Sequence, residues 1–96
     1  MSLFVWDDTK SAGNQRKHGV SFESAALVFD DPLHITRQDR IENGELRWQT
    51  LGMAKGVVLL LVAHTWHETE GGEEFIRIIS ARRATRLERN VYEKCN

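Results

Sequence analysis

Phe75-Ile76-Arg77-Ile78-Ile79-Ser80-Ala81-Arg82-Arg83-Ala84-Thr85-Arg86-Leu87-Glu88-Arg89 joins an apolar strand directly to a helix that carries a cluster of guanidinium groups. The strand half is apolar on nearly both faces, which fits a central position in a sheet. The helix half opens on a capping box: Thr85 is placed to accept from the Glu88 amide, and Glu88 to reach back to Thr85. This spacing predicts a terminal helix over 85–93, with Leu87 and Val91 facing the sheet and Arg86, Arg89 and Glu93 facing outward. From Arg77 to the end, five Arg and one Lys stand against Glu88 and Glu93, in a chain whose whole balance is −1. Arg stays charged at any workable pH and offers a planar fork of donors, so Arg clustered at a strand end points to a polyanion site. A solvated helix face balanced by acids elsewhere would account for the same residues.

Upstream of this stretch, strands are expected over 33–39, 45–52 and 57–66, with the strand of the opening stretch over 75–81. Their connections contain Asn43-Gly44, Lys55-Gly56 and Gly71-Gly72, too short for parallel crossovers, so the sheet reads as an antiparallel meander. Residues 57–63 fit a central strand, and the alternation over 33–39 fits one nearer an edge. Asn43-Gly44 suits a two-residue hairpin turn, but that register opposes Glu42 to Glu45 and Arg40 to Arg47, so a longer or irregular loop is expected there. Before the sheet, Phe4-Val5-Trp6 reads as a short strand. Asp7, Asp8 and Thr9 can cap a helix over 10–17 that Gly19 stops. Ser21 caps a second helix with Phe22, Ala25, Ala26 and Phe29 on its apolar face, ended by Asp31-Pro32. The fold class is α/β of the α+β kind: a short N-terminal strand and two helices, a meander sheet and a C-terminal helix, in a single domain over 1–96.

Composition narrows the function. With 41% hydrophobic and 28% charged residues and one Pro, the chain is an ordinary globular domain. The net charge of −1 argues against a general nucleic-acid coat protein. Residues 20–46 and 68–74 are acidic, so the basic patch is local. The lone Cys95 permits neither an intrachain disulfide nor a cysteine zinc cluster, and a reducing, cytoplasmic setting is expected. The apolar run 57–63 is far short of the ~18 residues of a membrane span, and the N-terminus lacks a basic-then-apolar leader, so no membrane association is expected.

Three constellations could carry chemistry. The first is Arg47, Arg77, Arg82, Arg83 and Tyr92. Arg77 lies within an apolar run, where an unpaired guanidinium is costly to bury, and needs a partner such as Glu88, a backbone carbonyl or a phosphate. The second is His64 at the end of the most hydrophobic strand: a general acid or base, a phosphate contact, or a hydrogen-bonded structural histidine. A metal held by His64, His67 and Glu68 is disfavoured, because His64 and His67 point to opposite faces of a strand. The third is Lys17 and His18 at the end of the first helix, where cations also suit the helix dipole. Trp48 and Trp66 read as core side chains more readily than as base-stacking platforms.

At these residues the chain resembles the BrnT family, the toxin half of bacterial BrnT/BrnA toxin-antitoxin modules. The resemblance runs almost end to end, through Phe4-Val5-Trp6-Asp7, Arg16-Lys17-His18-Gly19-Val20-Ser21-Phe22, Val28-Phe29-Asp30-Asp31-Pro32, Glu45 with Arg47, His64-Thr65, and Ile76 to Thr85 followed by Glu88, Arg89 and Tyr92. It implies a fold related to the RelE-type ribonucleases, a metal-independent endoribonuclease activity that halts translation without a cofactor, and neutralisation by a small DNA-binding antitoxin. It also implies that operator DNA is engaged only through the antitoxin complex. Carried over by position, the candidate site residues are Lys17, His18, Arg47, His64, Arg77, Arg82 and Tyr92. Nothing is carried over to Trp66, His67 or Glu68.

The implied chemistry suits these residue types. RNA is cut without metal when its 2′-hydroxyl attacks the adjacent phosphate, a base takes the proton, cations hold the phosphorane, and an acid helps the 5′-oxygen leave. His64 is the expected acid or base. Arg47, Arg77 and Arg82 are expected to bind charge, Tyr92 to position a base or phosphate, and Lys17, His18 and Arg83 to contact RNA. The alternatives are a catalytically silent module that docks an antitoxin and a co-repressor subunit.

Overall fold

The computed structural model describes residues 2–95. In chain order the elements are β1 (Ser2–Val5), α1 (Asp8–His18), α2 (Phe22–Ala26), a 3-10 turn (Leu27–Asp30), β2 (Ile35–Glu42), β3 (Glu45–Ala54), β4 (Val58–His64), β5 (His67–Glu68), β6 (Glu74–Arg83) and α3 (Arg86–Lys94). The caps act as their sequence predicts. The Asp7 carboxylate accepts from the Thr9 and Lys10 amides, and Gly19 at φ 74° closes α1. Ser21 caps α2, and the Thr85–Glu88 capping box opens α3.

One sheet with strand order β1-β6-β4-β3-β2 organises the domain, and β5 pairs with β6. The strands β2, β3, β4 and β6 form the expected antiparallel meander, with β4 and β6 inside and β2 at an edge. β1 joins the other side of β6 in parallel. Such a pairing needs a long connection, and the two helices and four strands between β1 and β6 provide it.

α1 and α2 cover one face of the sheet, where Val20, Phe22, Ala25, Val28, Leu60, Val62, Ile78 and Ala81 are buried together. Gly52 lets the 3-10 turn approach β3, since a Cβ there would stand 2.8 Å from Val28 Cγ1. On the other face α3 covers only one end, over Leu51, Leu59 and Leu61. The remainder of that face leaves Arg47, Gln49, Ala63, Ile79 and Ser80 half-buried and Arg77 exposed.

Two expectations give way. Asn43 and Gly44, at φ 54° and 76°, do form a two-residue turn, with Glu42 opposite Glu45. The irregularity lies inside β2 instead, where Asp39 and Arg40 bulge between the pairs Gln38–Trp48 and Ile41–Leu46. The bulge avoids a direct Arg40–Arg47 pair. Each glutamate finds its own arginine: Arg40 reaches Glu42 at 3.2 Å and Arg77 reaches Glu45 at 2.6 Å. A facing like-charge pair costs at most about 1 kcal/mol, and Asn-Gly is the residue pair that the left-handed geometry of a two-residue hairpin turn favours.

The rotation of α3 also differs. Leu87 is 76% exposed and Val91 42%, while Tyr92 is buried. Glu88 is drawn to Arg82 and Tyr92 to Asp31. These two residues lie four apart on one helix face, so their bonds turn that face to the sheet and Leu87 away from it, while Val91 stays at the rim of a groove with Gln49, Leu51 and Leu61.

A candidate anion-binding site on the open sheet face

Arg77 and Arg82 are five residues apart, which on a regular strand places them on opposite faces. A bulge changes this. β4 pairs Ala63 with Ser80 and His64 with Ile78, leaving Ile79 as an extra residue. Ile78 and Ala81 therefore both enter the helix-covered core, and Arg77 and Arg82 both project onto the open face.

There Arg77 meets residues of β3. Its Nη2 donates to Glu45 Oε1 at 2.6 Å, and Arg47 Nε stands 3.7 Å from the same oxygen. The other carboxylate oxygen is 3.5 Å from His67 Nε2. Partial burial works against ionisation of Glu45, but the Arg77 hydrogen bond and the surrounding cations hold its carboxyl below the usual range. Among the described residues, the buried Nε of Arg47 makes no hydrogen bond. Such an orphaned donor costs about 1–3 kcal/mol.

α1 completes the rim. Asn14 donates to the carbonyls of Val20 and Ala81 at 2.7 and 2.8 Å and accepts from the Ala81 amide at 3.2 Å. It thus occupies the edge of β6 that β1 leaves unpaired. Lys10 and His18 lie four residues before and after Asn14, on the same side of the helix. Lys10 lines a groove with Asp7, Arg47, Arg77 and Ile79. His18 lines the adjoining groove with Arg40, Gln49, Ser80 and Arg82.

The other expected site residues have different surroundings. His64 is on the helix-covered face and 1% exposed. Its Nδ1 donates to the Thr65 carbonyl at 2.9 Å, so in the neutral ring its Nε2 accepts from the Thr50 hydroxyl at 2.7 Å. Burial pushes the imidazole below its ordinary pKa despite the Thr65 bond. Phe29 packs on it edge-on at 5.0 Å. His64 and the arginines of the open face therefore lie on opposite sides of one sheet.

Arg82 forms a fork with Glu88 at 2.8 and 2.9 Å, which holds the Glu88 carboxyl down at about 2. Glu88, named above as a possible partner of Arg77, belongs to Arg82. Tyr92 donates to Asp31 at 2.6 Å, and burial together with that carboxylate pushes its hydroxyl up to about 12. It packs with Leu51 and Leu59, at the end of β3 away from Glu45 and Arg47. Lys17 and Arg83 are exposed, and Arg83 faces Leu60 in register, on the opposite side from Arg82. Trp66 is 41% exposed and packs edge-on to Trp48 at 5.1 Å, so it is not a core residue.

The sequence reading did not place Lys10, Glu45 or His67 in a site. The 10-14-18 spacing on α1 was available as a signal. Glu45 appeared only beside Arg47 in the family resemblance and His67 carried no signal, because strand pairing and the β6 bulge bring them together.

Fold and surface define a class: a small α+β domain whose sheet packs two helices on one side and presents guanidinium groups on the other. Residues 6–88 match the family model described as the ribonuclease toxin BrnT of type II toxin-antitoxin systems, and the chain belongs to that family. The crystal structure of the Brucella abortus ribonuclease toxin BrnT is similar, at 27% identity and a TM-score of 0.59, over 90% of this chain and 99% of that one. No curated protein matches the chain. No helix among the described residues is long and apolar enough to cross a membrane.

Proposed function

We propose that this toxin is a metal-independent endoribonuclease of RelE type that cleaves RNA, halts translation in the cytoplasm, and is silenced by a small DNA-binding, BrnA-like antitoxin through which alone it reaches operator DNA. The phosphates lie along the open sheet face. One observation carries this reading: Glu45 holds Arg47 and Arg77 over that face while the Arg47 Nε has no acceptor among the described residues. A fold keeps such an orphan where a ligand oxygen can relieve it or where a neighbouring guanidinium must be held in place. Lys10 extends the cationic line at one end and Arg82 with His18 at the other. Lys17 and Arg83 add exposed charge outside the grooves.

The test is cleavage of single-stranded RNA by the purified chain, freed of antitoxin, in buffer containing a chelator. Cleavage is expected. Activity that vanishes with the chelator and returns with a divalent ion overturns the mechanism, and no cleavage under either condition overturns the reading.

A further inference from the structure

Resting on the RNA-cleaving reading above, we infer that Glu45 and His67 are the proton-transfer pair of the reaction, Glu45 as base and His67 as acid. Glu45 Oε2 and His67 Nε2 stand 3.5 Å apart beside the two guanidinium groups that would hold a phosphate. His67 is 62% exposed at its side chain, on the two-residue strand β5 that pairs with the start of β6. The charged groups near it are Glu45 on β3 and, joined through that carboxylate, Arg47 on β3 and Arg77 on β6, with Glu68 beside it on β5 and Glu74 opposite Glu68 on β6. A carboxylate, an imidazole and two guanidinium groups on one accessible surface supply every role that metal-free RNA cleavage requires.

The step balances within these groups. The Glu45 carboxylate takes the 2′-hydroxyl proton, and the 2′-oxygen forms its bond to phosphorus. Arg47 and Arg77 hold the added charge on the non-bridging oxygens. The bond from phosphorus to the 5′-oxygen breaks, its electron pair leaves with that oxygen, and the His67 imidazolium supplies the proton. The products are a 2′,3′-cyclic phosphate and a 5′-hydroxyl, and exchange with water restores both side chains. Arg77 also moves from carboxylate to phosphate, which frees Glu45 Oε1 for the proton. His64, neutral and buried with both ring nitrogens bonded, takes no part.

The deciding experiment uses the purified toxin, an RNA of natural linkages, and the same RNA with sulfur in place of the 5′-oxygen at the cleaved bond. A thiolate leaves without a proton, so it relieves the need for an acid and not for a base. His67→Gln is expected to lose ~10²-fold or more on natural RNA and to recover to within about tenfold of wild type on the sulfur linkage. Glu45→Gln is expected to stay slow on both. A His67→Gln protein that cleaves natural RNA at the wild-type rate, or that the sulfur linkage fails to rescue, overturns the pair. A wild-type chain that cleaves neither RNA overturns the cleavage reading together with it.

Discussion

Arg77 and Arg82 project from the same face of β6 although they are offset by five positions, an odd step, because Ile79 is inserted between the β4 pairs at Ile78 and Ser80. They differ in their ties. Arg77 is half-exposed and shares Glu45 with Arg47, whereas Arg82 is forked onto Glu88, whose Oε1 also accepts from the Thr85 amide that opens α3.

The two arginines are therefore expected to contribute differently to stability. Arg82→Ala is expected to destabilise by about 1–2 kcal/mol, a fall in Tm of several degrees, because it strips a bidentate partner from Glu88. Arg77→Ala should stay within about 0.5 kcal/mol of wild type while weakening RNA binding and reducing its salt dependence by roughly one phosphate contact. Acid titration separates the pairs further. Glu88 is held at about 2 against an ordinary 4.5, so its contribution is complete above pH 4.5 and is lost as pH falls toward 2. Glu88→Gln should remove that acid-range slope. Thermal melts and RNA titrations on the two arginine variants check the assignment, and equal melts would refute it.

The bulge is open to a sharper test. Ile79→Ala keeps the register and removes part of a half-buried side chain, so a loss of about 1 kcal/mol is expected. Deleting Ile79 restores strict alternation and must turn either Ile76 and Ile78 or Ala81 out of the core. A loss of cooperative unfolding is expected for the deletion alone, read by chemical denaturation. A deletion protein as stable as the alanine variant would show that β6 tolerates both registers.

His64 should behave as a structural residue. His64→Gln is expected to lower Tm while RNA cleavage per folded molecule stays at the wild-type level, since one amide cannot repeat both the Thr50 and Thr65 bonds. The imidazole is held below its ordinary 6.5 in the fold, so its neutral burial stabilises fully above pH 6.5 and less as pH falls below it. Wild type should lose stability over that range and His64→Gln should not. A variant with an unchanged melt and slow cleavage would return His64 to the chemistry.

Much of the architecture was legible because it rests on neighbours in sequence. Asp7, Ser21 and Thr85 cap within three residues of themselves, Gly19 ends α1, and the apolar runs place β4 and β6 inside the sheet. The ordered motifs around Arg16 to Phe22 and Ile76 to Thr85 carried the family. The basic character of the β6 end was legible for the same reason: it is a property of composition.

Which side chains share a surface was decided only by the tertiary structure. Strand alternation is a two-valued code, and a single inserted residue reverses it, so the Ile79 bulge brought Arg77 and Arg82 together while His64 stayed on the far side. The rotation of α3 was set by Glu88 and Tyr92 finding Arg82 and Asp31, partners six and 61 residues away. Glu45, Arg47, His67 and Arg77 come from three strands and meet through pairing alone. Capping and hydrophobic periodicity act within a turn or a strand and are written in the chain. The meeting of charged groups across a sheet depends on register, which the packed core fixes.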